Sequence, residues 1–297
     1  MQSQKNKYNM AKRKKKNQQQ NTLKVLFLII AISLTSIFIY EHFRSPILHA
    51  ANEVKYKTEA VMAPEKEEIF GDLERPVFTT TRPEQIISHA GYTVSYNPEW
   101  RVPNWVSYEL TEYEIKGDLK RSDKFVVDPE VTSISATNDD YSHSGYDRGH
   151  MAPAADMKWN SRVMKECFYF SNMCPQKHSL NAGRWKTLEE KARDWAEQDS
   201  AIVIVCGPIV EKGYQTIGSN KVVIPQRFFK VILAPYLDYP KAIAFIMKND
   251  KESLPLSSYA VSIDSVEKVT GMDFFSALPD DIENRIESTN STSGWDL

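Results

Sequence analysis

Tyr146-Asp147-Arg148-Gly149-His150-Met151-Ala152-Pro153-Ala154-Ala155-Asp156 is the stretch on which the reading of this chain turns. It sets an arginine and a histidine two residues apart around a glycine, which permits unusual backbone angles or the close approach of another group. If His150 lies on a strand, Arg148 points to the same face. A second polar segment follows, Ser171-Asn172-Met173-Cys174-Pro175-Gln176. A third, Leu180-Asn181-Ala182-Gly183-Arg184-Trp185, leads into a helix bearing Glu189. One imidazole, one guanidinium, two carboxamides and a carboxylate thus fall between Arg148 and Glu189. Attack of water on a phosphodiester needs such a set: a base of near-neutral pKa, oxygen ligands for a hard cation, and positive charge for the phosphate.

Each group has a reading from its own chemistry. An imidazole of ordinary pKa, about 6.5, takes a proton from water at neutral pH, so His150 is the general base. His143 has no matching ligands at zinc spacing and reads as a loop residue. The amide oxygen of Asn181 is a neutral hard donor that suits Mg²⁺, an ion that keeps most of its waters. Asparagine is also a favoured helix N-cap, and both readings can hold. In one continuous helix Glu189 would lie about 80° round and about 12 Å along from Asn181. It is therefore expected to reach the ion through water; a solvated helix carboxylate is the plain alternative. Arg148 matches phosphate in a bidentate way. Asp147 and Asp156 read as loop-fixing acceptors, and Trp159 and Trp185 as core.

Asp-Arg-Gly-His-Met-Ala-Pro, Ser-Asn-Met-x-Pro-Gln and Leu-Asn-x-Gly-x-Trp-x-x-Leu-Glu, in this order and spacing, resemble the DNA/RNA non-specific endonucleases. These are ββα-metal nucleases, endonuclease G among them. The resemblance runs from about Tyr92 to about Phe275. It implies that His150 is the catalytic histidine and Asn181 the direct metal ligand. Asn172 would shape the site beside the histidine, although a turn residue ahead of Pro175 is an equal reading. Arg121, by its spacing to Phe125 and Asp128, resembles an upstream phosphate arginine that would act with Arg148. The implied cofactor is Mg²⁺, with Mn²⁺ as a substitute. The implied substrates are DNA and RNA, cut with little sequence preference to leave 5′-phosphate ends; a homodimer is an option. Two rivals share the fold, a hydrolase of small phosphodiesters and an inactive nucleic-acid binder.

Composition is that of a globular protein: 297 residues, 41% hydrophobic and 26% charged, enough to bury a sizeable core. The net charge of −2 is unevenly spread. Residues 1–44 hold nine Lys/Arg against one acid, Glu41, leaving 28 basic and 38 acidic residues in the remainder. Any basic footprint for nucleic acid must therefore be local to one groove. Lys12-Arg13-Lys14-Lys15-Lys16 precedes the uncharged Val25–Tyr40. That order reads as a cytoplasmic tail over 1–22 and a membrane anchor over 23–43, with the catalytic domain placed outside the cytoplasm by the positive-inside rule. Cleavage near Ala50-Ala51 would instead release a secreted protein.

A Glu-, Lys-, Pro- and Thr-rich linker is expected over 44–84, an endonuclease domain over 85–287 and a disordered tail over 288–297. Alternation predicts strands over Tyr92–Tyr96 and Pro103–Leu110, and apolar runs predict others over Phe168–Phe170, Ala201–Cys206, 222–224, Phe228–Leu233 and Ala242–Met247. A helix is expected over 160–166 with Ser161 as its cap. Trp185, Leu188, Ala192, Trp195 and Ala196 mark a second amphipathic helix, and Leu278-Pro279-Asp280-Asp281 opens a last one. Without a βαβ rhythm the class is α+β, a ββα-metal core on a mixed, mainly antiparallel sheet behind the N-terminal transmembrane helix. Repeats and Gly-rich phosphate loops are absent. Cys167, Cys174 and Cys206 contain no Cys-x-x-Cys pair, and either one disulfide or three buried thiols is open.

Overall fold

The structure, a computed structural model, describes residues 73–251, 253–290 and 292–297. The basic tail, the anchor and most of the linker (residues 1–72) lie outside the described residues. The strands are β1 Val77–Phe78, β2 Gln85–Ser88, β3 Thr93–Asn97, β4 Val102–Thr111, β5 Asp147–His150, β6 Met173–Gln176, β7 Ala201–Ile209, β8 Thr216–Ile217, β9 Val222–Val223, β10 Arg227–Ala234, β11 Lys241–Lys248, β12 Ala260–Val261 and β13 Met272–Asp273. The helices are α1 Asn138–Tyr141, α2 Ser161–Glu166, α3 His178–Leu180, α4 Lys186–Gln198, α5 Ile263–Thr270 and α6 Asp280–Glu287.

Seven strands form the central sheet in the order β12-β11-β10-β7-β4-β3-β2. Every pairing in it is antiparallel, so the expectation of a mixed sheet is corrected while α+β stands. Alternation along β10 explains why the sheet is buried on both sides. Phe228 and Ile232 enter one core with Trp185, Leu188 and Trp195 of the α4 region. Phe229, Val231 and Leu233 enter the other with Ile263 and Val266 of α5 and Ile286 of α6. A strand covered on both faces reads as a continuous apolar run, which is how β7 looks. It also continues through Gly207-Pro208, where a stop was expected. A Cβ on Gly207 would stand 2.6 Å from the Asn104 carbonyl oxygen, so the glycine permits close strand packing there.

Three other expectations change. Phe168, Tyr169 and Phe170 are all buried, but they form a bend with one bridge from Tyr169 to Val126 and then a 3₁₀ turn over Phe170–Asn172. An unalternating buried run does not distinguish a strand from a packed turn. Asn160 rather than Ser161 caps α2, its side chain accepting from Arg162 N and Val163 N. Residues of the expected linker and tail also pack into the fold. Leu73 is buried, β1 pairs with β13, and Arg82 Nη2 donates to Thr270 O at 2.7 Å. At the other end Trp295 is 5% exposed, its ring 4.8 Å from that of Trp195. One aromatic side chain buries enough apolar area to hold an otherwise polar tail. The three cysteines are free and buried.

Candidate active site

β5 and β6 bring the first two motifs together, Arg148 opposite Pro175, Gly149 opposite Cys174 and His150 opposite Met173. Gly149 is required by close approach, since a Cβ would lie 2.6 Å from Gln176 Cβ. The chain turns after His150, and Asn172 holds the turn from behind. Its Oδ1 accepts from Ala152 N at 2.9 Å, and its Nδ2 donates to Ala152 O at 2.9 Å and Cys167 O at 2.8 Å. Asn172 is fully buried, so its carboxamide is committed to the backbone and does not line the cleft. An irregular buried turn must satisfy its own polar groups, and Asn172 does so for this one.

Arg121, Arg148, His150, Asn181, Lys186, Glu189 and Arg193 line one cleft of about 230 Å³. His150 is 7% exposed and packs against Phe125 and Phe168, ring centroids 5.6 and 5.0 Å away. Burial, reinforced by the Arg121 charge, pushes its pKa down to about 3, and its Nε2 has no hydrogen-bond partner among the described residues. The ring is therefore neutral near pH 7, with one nitrogen an acceptor. Arg148 lies with Cζ 5.0 Å from the Phe125 ring centre and 5.6 Å from that of Tyr141. Its Nε is buried without a hydrogen-bond partner among the described residues. Arg121 sits on a loop, ion-paired with Asp123 and 5.1 Å over the Phe168 ring.

Asn181 closes α3 and opens a π-helical turn, Asn181–Trp185, in which Gly183 leaves helical angles at φ −108, ψ −118. Such turns often occur at functional sites. Asn181 is thus not the N-cap of α4, and the offset calculated for one continuous helix does not apply. Its Nδ2 donates to Asp147 Oδ2 at 2.9 Å, and His178 Nδ1 is 2.8 Å from the same oxygen. That bond fixes the amide and leaves Oδ1 without a partner among the described residues.

Glu189, partly buried on the first turn of α4, likewise has no hydrogen-bond or ion-pair partner among the described residues. Burial raises its pKa to about 7, against the opposing pull of the Lys230 ammonium. Lys230 is fully buried beneath α4, its Nζ 4.7 Å over the Trp185 ring. An amide oxygen and a carboxylate, both lacking protein partners and facing one cleft, form a donor set that suits a hard divalent cation.

Sequence reasoning missed Arg193 and Lys186. Arg193 stands four residues after Glu189, a spacing that places both on one helix face and could have revealed it. Its Nη1 donates to Asp156 Oδ1 at 2.8 Å, while Asp156 Oδ2 accepts from Tyr108 OH at 2.8 Å. Asp156 and Asp147 are both acceptors, as expected. Trp185 is core, 1% exposed.

The family model for DNA/RNA non-specific endonucleases matches residues 70–281. The chain is 36% identical over 239 residues to a protein of Xenopus laevis named nuclease EXOG, mitochondrial, covering 75% of this chain and 66% of that one. It is 33% identical over 205 residues to human endonuclease G, mitochondrial, covering 64% and 69%. Among solved structures, a complex of EndoG with EndoGI, described as showing the mechanism of EndoG inhibition, aligns with a TM-score of 0.63 at 32% identity. That alignment covers 68% of this chain and 89% of that one. The chain spans just under two thirds of the Xenopus EXOG and 56% of the human EXOG. The mitochondrial names of these relatives overturn the expectation of a single-pass protein with its catalytic domain outside the cytoplasm. Among the described residues no helix is long and apolar enough to cross a membrane. A basic segment followed by an apolar one is read by more than one translocation machinery, so charge and hydropathy did not fix the address.

Proposed function

Because the chain belongs to the DNA/RNA non-specific endonuclease family, we propose that it hydrolyses phosphodiester bonds of DNA and RNA with Mg²⁺, Mn²⁺ serving as a substitute. The observation that carries this reading is the convergence in one cleft of a neutral His150, two oxygen-donor groups without protein partners among the described residues and four cationic side chains.

His150 accepts the proton of the attacking water on the ring nitrogen open to the cleft, its ring held in place by Phe125 and Phe168 and its turn by Asn172. Asn181 Oδ1, and Glu189 through water, would hold the ion, which would supply positive charge for the phosphate and the leaving 3′ oxygen. Asp147 keeps the Asn181 carbonyl oxygen aimed into the cleft. Arg148 and Arg121 bind the non-bridging oxygens, and Arg193, tethered by Asp156, adds positive charge to the same cleft. Cleavage leaves a 5′-phosphate. The groups so placed contact phosphate rather than base edges, so little sequence preference follows.

The test uses the full chain on supercoiled plasmid and on RNA, with Mg²⁺ or with chelator. Both polymers should be cut only with the metal. His150→Ala should lower kcat by about 10²–10⁴, and Asn181→Ala should abolish Mg²⁺ stimulation. Cleavage undiminished in His150→Ala would remove it as the base.

A further inference from the structure

The second core, across the sheet from α4, carries a separate group of acids. Asp264 and Glu267 come from α5, Asp273 from β13, and Glu283 and Glu287 from α6. Oxygens of Asp264, Glu267 and Glu287 lie within 4.8 Å of one another, and so do those of Asp273, Glu283 and Glu287. Glu287 belongs to both groups. It is 8% exposed, and its Oε1 is buried with no hydrogen-bond partner among the described residues. A buried carboxylate oxygen facing other carboxylates is costly unless a proton or a cation compensates it. Burial first, and then the acidic charges of Glu267, Glu283, Asp273 and Asp264, raise the Glu287 pKa to about 8. Glu267 commits one oxygen to Phe274 N at 2.9 Å, which fixes the cluster to the backbone after β13.

We propose that Asp273, Glu283 and Glu287 hold a calcium ion that clips α6 to β13, with Asp264 and Glu267 adding negative charge beside it. Calcium takes 6–8 oxygen ligands at about 2.3–2.6 Å in flexible geometry, so two of its ligands stand up to about 5 Å apart. That span accommodates the triad of Asp273, Glu283 and Glu287. Magnesium demands a tight octahedron at about 2.1 Å and retains its waters, which suits a crowd of carboxylates less well. The occupied site holds the C-terminal helix in place and takes no part in phosphodiester chemistry.

The experiment uses the full chain carrying Asn181→Ala and Glu189→Gln, which silence the cleft as a competing metal site. Thermal unfolding and calorimetric titration are followed with Ca²⁺ and with Mg²⁺. Ca²⁺ at about 100 times its Kd should raise Tm by roughly 5–10 °C, and Mg²⁺ by much less. Adding Glu287→Gln should weaken Ca²⁺ binding at least about tenfold and remove the rise. In chelator at pH 8 the same variant should melt no lower than its parent, because it loses a repelled charge; that result shows that it folds. Asp273→Asn is a second variant with the same expected loss of Ca²⁺ response. No Ca²⁺-dependent rise in the parent, or a rise that survives both variants, would overturn the proposal.

Discussion

A ring enclosed by Phe125 and Phe168 has little water to stabilise its positive charge, and Arg121 makes that charge costlier still. At the scale of the residue, burial therefore decides the protonation state of His150. With a folded pKa of about 3 against an ordinary 6.5, the native protein binds fewer protons than the unfolded chain between those limits. The neutral ring's contribution is complete above pH 6.5 and is lost as pH falls toward 3. Denaturant unfolding in chelator should show the wild type losing about 2 kcal/mol more than His150→Asn between pH 7 and pH 5. Equal losses in both proteins would mean that the ring is hydrated in solution. The identity of this histidine was legible from its neighbours in sequence. Its depressed pKa was not, because Phe125 and Phe168 lie 25 residues before it and 18 after it.

At the scale of the element, the site depends on two short irregular pieces, the turn after β5 and the π-helical turn before α4. Asn172 serves three backbone groups in the first. Asn172→Ala leaves them buried without partners and should cost roughly 3 kcal/mol in denaturant unfolding. Its kcat should fall with KM for nucleic acid nearly unchanged, since the arginines stay in place and only the His150 turn loosens. A large rise in KM would put Asn172 in substrate binding instead. The second piece, kinked at Gly183, sets the relation of Asn181 to Glu189. A regular periodicity could place the stripe of α4 but not this interruption. A π-turn has no composition signature and arises from how α3 and α4 pack against their surroundings.

At the scale of the whole molecule, an acidic remainder carries a local concentration of cations. Residues 45–297 hold 28 basic and 38 acidic side chains, yet Arg121, Arg148, Lys186 and Arg193 share one cleft. Duplex DNA binding in chelator should therefore depend on salt with a log–log slope no steeper than about −4, and Arg121→Ala should flatten it by about one. An unchanged slope would take Arg121 off the phosphate path. The chain end matters as much as the cleft for integrity. Removing residues 293–297 deletes Trp295, which packs on Trp195. That deletion should cost about 3 kcal/mol and lower Tm by roughly 6–12 °C, read by calorimetry. The sequence by itself determined the family and the candidates: three motifs point to the proposed base, oxygen donor and phosphate arginine, since these depend on side-chain type and local spacing. Its alternating and continuous apolar runs likewise determined most strands of the sheet. Only the tertiary structure decided that Arg121 reaches the cleft, that Asn172 stays behind it, that Arg193 joins it and that Leu73 and Trp295 are buried in the fold. Each of those outcomes rests on contacts between segments far apart in the chain, where burial and the need to satisfy every polar group outweigh local preference.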